Sequence, residues 1–137
     1  MLLFKTSGNT INSVVANQKH AFKGQPKNWE IGEIILVSKN RTDCRAGEKQ
    51  IQHIMFLDKI RITNDEEFEK YWPNNKGRWK YIADCTKTVK LQNPFNIEEV
   101  LGPASFHSYG PVVTFKKIEP EDEKLITKYL RSINALD

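Results

Sequence analysis

Four consecutive apolar residues, Ile34-Ile35-Leu36-Val37, constrain this chain more than any other stretch. Successive side chains of a strand point to opposite faces, so an unbroken apolar run must be covered on both sides. Ile34, Ile35 and Val37 are β-branched, which suits a strand rather than a helix. The run therefore predicts a central strand in a sheet packed on each face. A chain of 137 residues, 39% of them hydrophobic, can supply such a core within a single domain spanning residues 1–137.

The surrounding pattern adds elements to that strand. Leu2 to Thr6 reads as a short buried strand closed by Ser7-Gly8-Asn9. Thr10 to His20 places Ile11, Val14 and Val15 at helical spacing, with Asn9 or Thr10 as N-cap. Phe22 to Asn28 is loop-like, and Lys39 to Lys49 reads as a charged hairpin connection. Ile51 to Ile62 predicts one long strand or two shorter ones. Asn64 to Tyr71 predicts a short helix, capped by Thr63 or Asn64, with acidic residues in its first turn. Arg78 to Ala83 alternates as a strand that continues past a bulge through Thr86 to Leu91. Phe95 to Leu101 is a short helix or turn stopped by Gly102-Pro103. Val112 to Ile118 is a strand, and Pro120 opens a helix running to about Ile133. The expected fold is α+β: a curved mixed sheet or small β-barrel with peripheral helices.

The chain offers little chemistry of its own. It carries no G-x-G-x-x-G, P-loop, G-x-S-x-G or H-E-x-x-H signature. His20, His53 and His107 lie in separate segments without motif partners, and a lone histidine is ordinarily structural. The acidic clusters Asp65-Glu66-Glu67-Glu69 and Glu119-Glu121-Asp122-Glu123 begin predicted helices, where dipole and capping effects explain them. Cys44 and Cys85 fit no metal spacing and read as free thiols in a reducing cytoplasm. No apolar run approaches the roughly 20 residues that span a bilayer. The start, Met1-Leu2-Leu3-Phe4-Lys5, turns polar too soon for a signal peptide. The sequence thus predicts a cytoplasmic binding module without catalytic residues, metal, cofactor or membrane partner. A net charge of +4 suits a polyanion.

The segment Lys70 to Trp79 is where such a partner would be met. It sets Tyr71, Trp72 and Trp79 among the turn formers Pro73, Asn74, Asn75 and Gly77. Aromatic faces flanked by Lys and Arg stack nucleobases while neutralising phosphates. Trp72, at the turn, reads as a wall of a site. Trp79 alternates within the predicted strand and reads as core. Trp29 reads as packing or as a pocket floor. Lys23, Lys27, Lys76, Arg78 and Lys80 form a candidate phosphate rim, although each alone is also explained as a solvated charge.

Several pieces, taken in order, resemble YTH domains. Leu3-Phe4-Lys5-Thr6-Ser7, then the helix with Asn12, then His20-Ala21-Phe22-Lys23, is similar to their opening. Ile34 to Asn40 resembles their next strand, and His53 to Ile60 the one after. Trp72 and Lys76 to Ile82 resemble their Trp loop and the strand that follows. Ser105 to Gly110 and Ile118 to Asp122 are similar to EVE domains, the prokaryotic relatives. The resemblance covers nearly the whole chain and implies a PUA-like fold.

It also implies a reader of a modified base, N6-methyladenine or methylcytosine, flipped into an aromatic cage. Phe22 matches one wall and Trp72 the second. The third falls near Asn74 or Asn75, open or filled by Trp29 or Tyr71. Asn12 matches a residue on the base edge, with Ser7 and Asn75 as further polar contacts. Lys5 matches a lysine near the phosphate backbone. The family's C-terminal phosphate-binding arginine has no counterpart, and His107 or Tyr109 occupies that region. Methylated DNA is favoured over RNA as partner. The expected setting is the specificity domain of a McrB-like restriction system, fused to or associated with an AAA+ GTPase and nuclease. The alternatives are a reader of methylated RNA, an ASCH-like small enzyme acting on nucleosides, and an interaction domain. An enzyme should place a Lys or Glu inside the pocket. A reader should show two ring faces about 7 Å apart.

Overall fold

In the computed structural model, which describes residues 1–137, the apolar run forms strand β3 (Ile34–Lys39). The other strands are β1 (Leu2–Thr6), β2 (Lys19–Phe22), β4 (Ile51–Ile62), β5 (Tyr81–Phe95) and β6 (Phe115–Lys117). They make one sheet in the order β2-β5-β4-β3-β1-β6. β1 and β3 pair in parallel and all other neighbours are antiparallel, so the sheet is mixed. Around it lie α1 (Ile11–Asn17), α2 (Asp65–Tyr71), α3 (Ile97–Leu101), α4 (Phe106–Tyr109) and α5 (Pro120–Ser132). The fold is the expected α+β arrangement.

Both faces of β3 are covered. Ile35 and Val37 join Leu2, Phe4, Met55 and Leu57 in an inner core closed by Val14 of α1 and Phe68 of α2. Leu36 joins Leu3 and Ile54 in an outer core closed by Ile97 of α3 and by Ile126 and Leu130 of α5. Full burial of each such side chain stabilises by about 1.5–3 kcal/mol, which is why the run cannot sit at a solvated edge.

Bulges set the curvature. The β4–β5 register shifts between Ile51 and His53, between Phe56 and Leu57, and between Leu57 and Lys59. Each shift bends and twists the strands. The sheet curls until its two edges approach, with the rings of Phe22 on β2 and Phe115 on β6 at 6.2 Å. Phe4 fills the space between them, 5.0 Å from Phe22 and 6.3 Å from Phe115. The result is a half-barrel.

Several elements differ from the local pattern. The first helix stops at Asn17 because Gln18 turns left-handed (φ 55°) and caps it through a backbone N–H to Val14. Lys19–Phe22 then becomes a strand, which gives Tyr81–Asp84 of β5 its outer partner. β5 starts at Tyr81, so Trp79 stands outside it. The strand expected over Val112 to Ile118 shortens to Phe115–Lys117, and α4 lies in a stretch without a strong periodic signal. Cys44 and Cys85 are free, and no helix is long and apolar enough to cross a membrane.

Candidate functional site

The site grows from α2. Asn64 caps this helix, its side chain accepting the Glu67 N–H, and Trp72 ends it with an N–H to Phe68 O at 2.8 Å. Arg61 straps the helix to the sheet. Its guanidinium donates to both Glu67 oxygens at 2.7 and 2.6 Å, and to Asp84 of β5 at 2.7 Å. Lys19 of β2 donates to the same aspartate at 2.6 Å. Arg61 holds the Glu67 carboxyl at a pKa of about 2.

The turn after Trp72 is fixed by its own polar groups. Asn75 Nδ2 donates to the carbonyls of Trp72 (3.1 Å) and Pro73 (3.0 Å). Glu69 accepts the N–H groups of Asn74 and Asn75, and Asp65 accepts that of Gly77. Gly77 takes φ +77°, where a side chain would be strained. Arg78 donates to Asn75 Oδ1 at 2.8 Å and lays its guanidinium 4.7 Å over the Trp79 ring. The chain folds back so that Trp72 and Trp79 meet at 5.5 Å and 66°.

These two rings wall a cavity of about 220 Å³ at the mouth of the half-barrel. Lys5 and Arg78 line it, together with Thr6, Ser7, Thr10 and His20; Asn40, Val113 and Thr114 complete its polar and outer sides. None of its lining residues carries a carboxylate. His20 Nε2 lies 3.0 Å from Thr6 Oγ1, and burial depresses the imidazole pKa to about 4, so it is neutral at pH 7. Burial, and then the nearby charge of Arg41, hold the Lys5 ammonium below the usual lysine range. The indole nitrogen of Trp72 and Nδ1 of His20 are buried without hydrogen-bond partners. Such orphans typically cost about 1–3 kcal/mol each.

Two further hollows adjoin this cavity. One, of about 370 Å³, lies between α1 and the Tyr71–Asn75 turn; it shares Ser7, Thr10, Trp72 and Arg78 with the cavity. The other, of about 310 Å³, lies between Phe22 and Phe115 and shares Val113 and Thr114.

The fold thus brings together Lys5, Ser7, Trp72 and Arg78 among the residues the sequence points to. Tyr71 and Asn75 line the first adjoining hollow. Phe22 stands elsewhere: it is 1% exposed, packs against Phe4 and borders only the second hollow. Pairing of β2 with β5 sets Phe22 opposite Tyr81, and its ring packs inside the barrel against Phe4, His20 and Phe115. Trp29 is half-buried against the inner core and lines none of the three spaces. Asn12 is exposed on α1, and Lys23, Lys27, Lys76 and Lys80 are exposed charges outside the lining. His107 is exposed on α4 and does not line the cavity. Trp79, read as core, does pack against the inner core, and because β5 begins after it the ring also walls the cavity. Nothing local marks Thr114 or the role of His20, which long-range pairing delivers; Thr6 sits in the Lys-Thr-Ser stretch already singled out, and Thr10 is the N-cap candidate of the first helix.

No family profile matches the sequence, and no curated protein matches it. Solved structures do. The crystal structure of ASCH from Zymomonas mobilis superposes with a TM-score of 0.61 at 11% identity, covering 93% of each chain. Two point mutants of that protein give 0.62 and 0.63, covering 93% of this chain and 96% and 94% of theirs. At 11% identity the likeness is one of architecture: the curled sheet with its peripheral helices.

Proposed function

We propose that this protein is a nucleic-acid-binding module that takes one modified base, extruded from DNA, into the cavity between Trp72 and Trp79. The observation that carries this reading is an aromatic corner under an arginine in a cavity free of carboxylates. The cavity is smaller than the roughly 300–1,000 Å³ of pockets for drug-sized ligands, and a single base suits it better than a whole nucleotide. Rings at 66° do not make a parallel slot, so a base stacks on one face with its edge against the other. The Arg78 guanidinium covers the Trp79 face; an entering base displaces it toward the phosphates, where a guanidinium binds well.

The energies are compatible. Stacking is worth about 1–3 kcal/mol, and extruding a base from a duplex costs a few kcal/mol, which backbone contacts offset. Burying one methyl group adds about 0.8 kcal/mol, or roughly fourfold in affinity. The resemblance to YTH domains adds Lys5 and Ser7, which line this cavity, and suggests N6-methyladenine or methylcytosine. It also suggests service beside an AAA+ GTPase and nuclease in a modification-dependent restriction system, with no catalysis by the module itself.

A second reading, an ASCH-like enzyme acting on nucleosides, is favoured by one observation: Lys5 lines the cavity with its basicity reduced by burial. A lysine of lowered pKa is a usable base or nucleophile. One set of measurements separates the two. Matched oligonucleotides, unmodified or carrying N6-methyladenine or 5-methylcytosine, are titrated as single and double strands of DNA and RNA. Equal affinity across modifications removes the modified-base reading, and absence of binding to any strand removes the module itself. Turnover of nucleosides that Lys5→Met abolishes establishes the enzyme instead.

A further inference from the structure

We propose that the tryptophan cavity is the middle of three subsites in a groove for a single strand, with the two neighbouring nucleotides seated beside Tyr71 and beside Phe115. This rests on the nucleic-acid reading above. The first ground is continuity. The Tyr71 hollow shares its Trp72–Arg78 wall with the central cavity, and the Phe115 hollow shares Val113 and Thr114 with it. A chain entering one space therefore has its neighbours beside the other two. Both flanking spaces exceed the central one, at about 370 and 310 Å³.

The second ground is charge. The chain holds 17 aspartates and glutamates, yet none lines any of the three spaces. Arg78 stands at the junction of the first two, and Lys5 lines the middle one. Lys23 and Lys27 are exposed on the loop whose Gly24 and Pro26 border the third. The third ground is that each space has an aromatic side: half-buried Tyr71, the Trp72–Trp79 corner, and half-buried Phe115. Basic groups tracking a groove with aromatic platforms is how proteins hold single strands. The polar wall of the Tyr71 hollow, with Ser13 and Asn75, supplies hydroxyl and amide partners for sugar and phosphate oxygens. A duplex does not offer three consecutive splayed nucleotides, so a target enters as a single or opened strand.

A length series tests this: a nucleoside monophosphate, a dinucleotide, a trinucleotide and a pentanucleotide of one base type, with the pentanucleotide sequence also presented within a duplex. Affinity should climb from one nucleotide to three and then level, and the duplex should bind more weakly. Tyr71→Leu and Phe115→Leu, each keeping an apolar side chain against its neighbours, should each lower trinucleotide affinity about fivefold or more. Both should leave monophosphate binding unchanged. A monophosphate that binds as tightly as the pentanucleotide, or a duplex that matches the single strand, overturns the groove and leaves the base cavity standing. Failure of every nucleotide to bind overturns the nucleic-acid reading itself.

Discussion

His20 is packed between the rings of Phe4 and Phe22, at 4.9 and 4.7 Å, with no charged partner at either nitrogen. Burial holds its pKa at about 4, against 6.5 for an exposed imidazole. Between those values the unfolded chain binds a proton that the folded chain does not. This contribution to stability is therefore complete above pH 6.5 and is lost as the pH falls to 4, by up to about 3 kcal/mol. Urea midpoints measured near pH 7.5, 5.5 and 4 should fall in that order, and His20→Gln should flatten the part of the slope above about pH 5. An unchanged slope in the variant would place the effect on other groups. Phe22 makes a separate case. As a buried ring against Phe4 it should act through the fold: Phe22→Ala should cost about 3–5 kcal/mol by chemical denaturation. Its folded fraction should bind nucleotide with the wild-type preference for modification.

At the scale of elements, α2 matters because it delivers Trp72. Arg61 ties it to β5 and β2 through Glu67, Asp84 and Lys19. Arg61→Met should cost about 1–3 kcal/mol, since it strips the hydrogen bonds from two half-desolvated carboxylates. It should also weaken binding, because the helix that carries Trp72 loosens. A cycle with Glu67→Gln should return a coupling energy of at least about 0.5 kcal/mol; strict additivity would show that the strap does not act as a unit. The local part of α2 was legible. Asn64, the acidic first turn and the turn formers after Tyr71 mark its ends, and all are local chemistry. The central strand was legible for the same reason. What was not legible depends on partners far along the chain. The conversion of Lys19–Phe22 into a strand follows from its pairing with β5, and the start of β5 at Tyr81 from pairing with both β2 and β4. These pairings bury Phe22 beside Phe4 and leave Trp79, just before β5, at the cavity. Trp72 stood out because Pro73, Asn74, Asn75 and Gly77 mark a turn after it, whereas Lys5 and Ser7 came only from the resemblance to YTH domains.

At the scale of the whole molecule, a mixed sheet curls until its edges nearly meet, and the proposed site lies at the mouth that this curl leaves. Its affinity should be governed more by shape and stacking than by bulk charge, because the net charge is only +4 and few cations line the groove. With Lys5 and Arg78 as the phosphate contacts, log affinity for a single strand should fall with log salt at a slope of about −1.4. Titrations across a range of salt concentrations check this, and a slope several times steeper would mean that lysines outside the groove carry the binding. The two cores also differ in their aromatic content. Trp72 lies within the inner one, with Trp29 and Trp79 packed against it, while the outer one has tyrosines, Tyr109 and Tyr129. The protein is therefore optically lopsided. Its tryptophan emission reports the mouth and the inner face, and a quencher or a bound base changes it there. The α5 side can loosen without altering that signal.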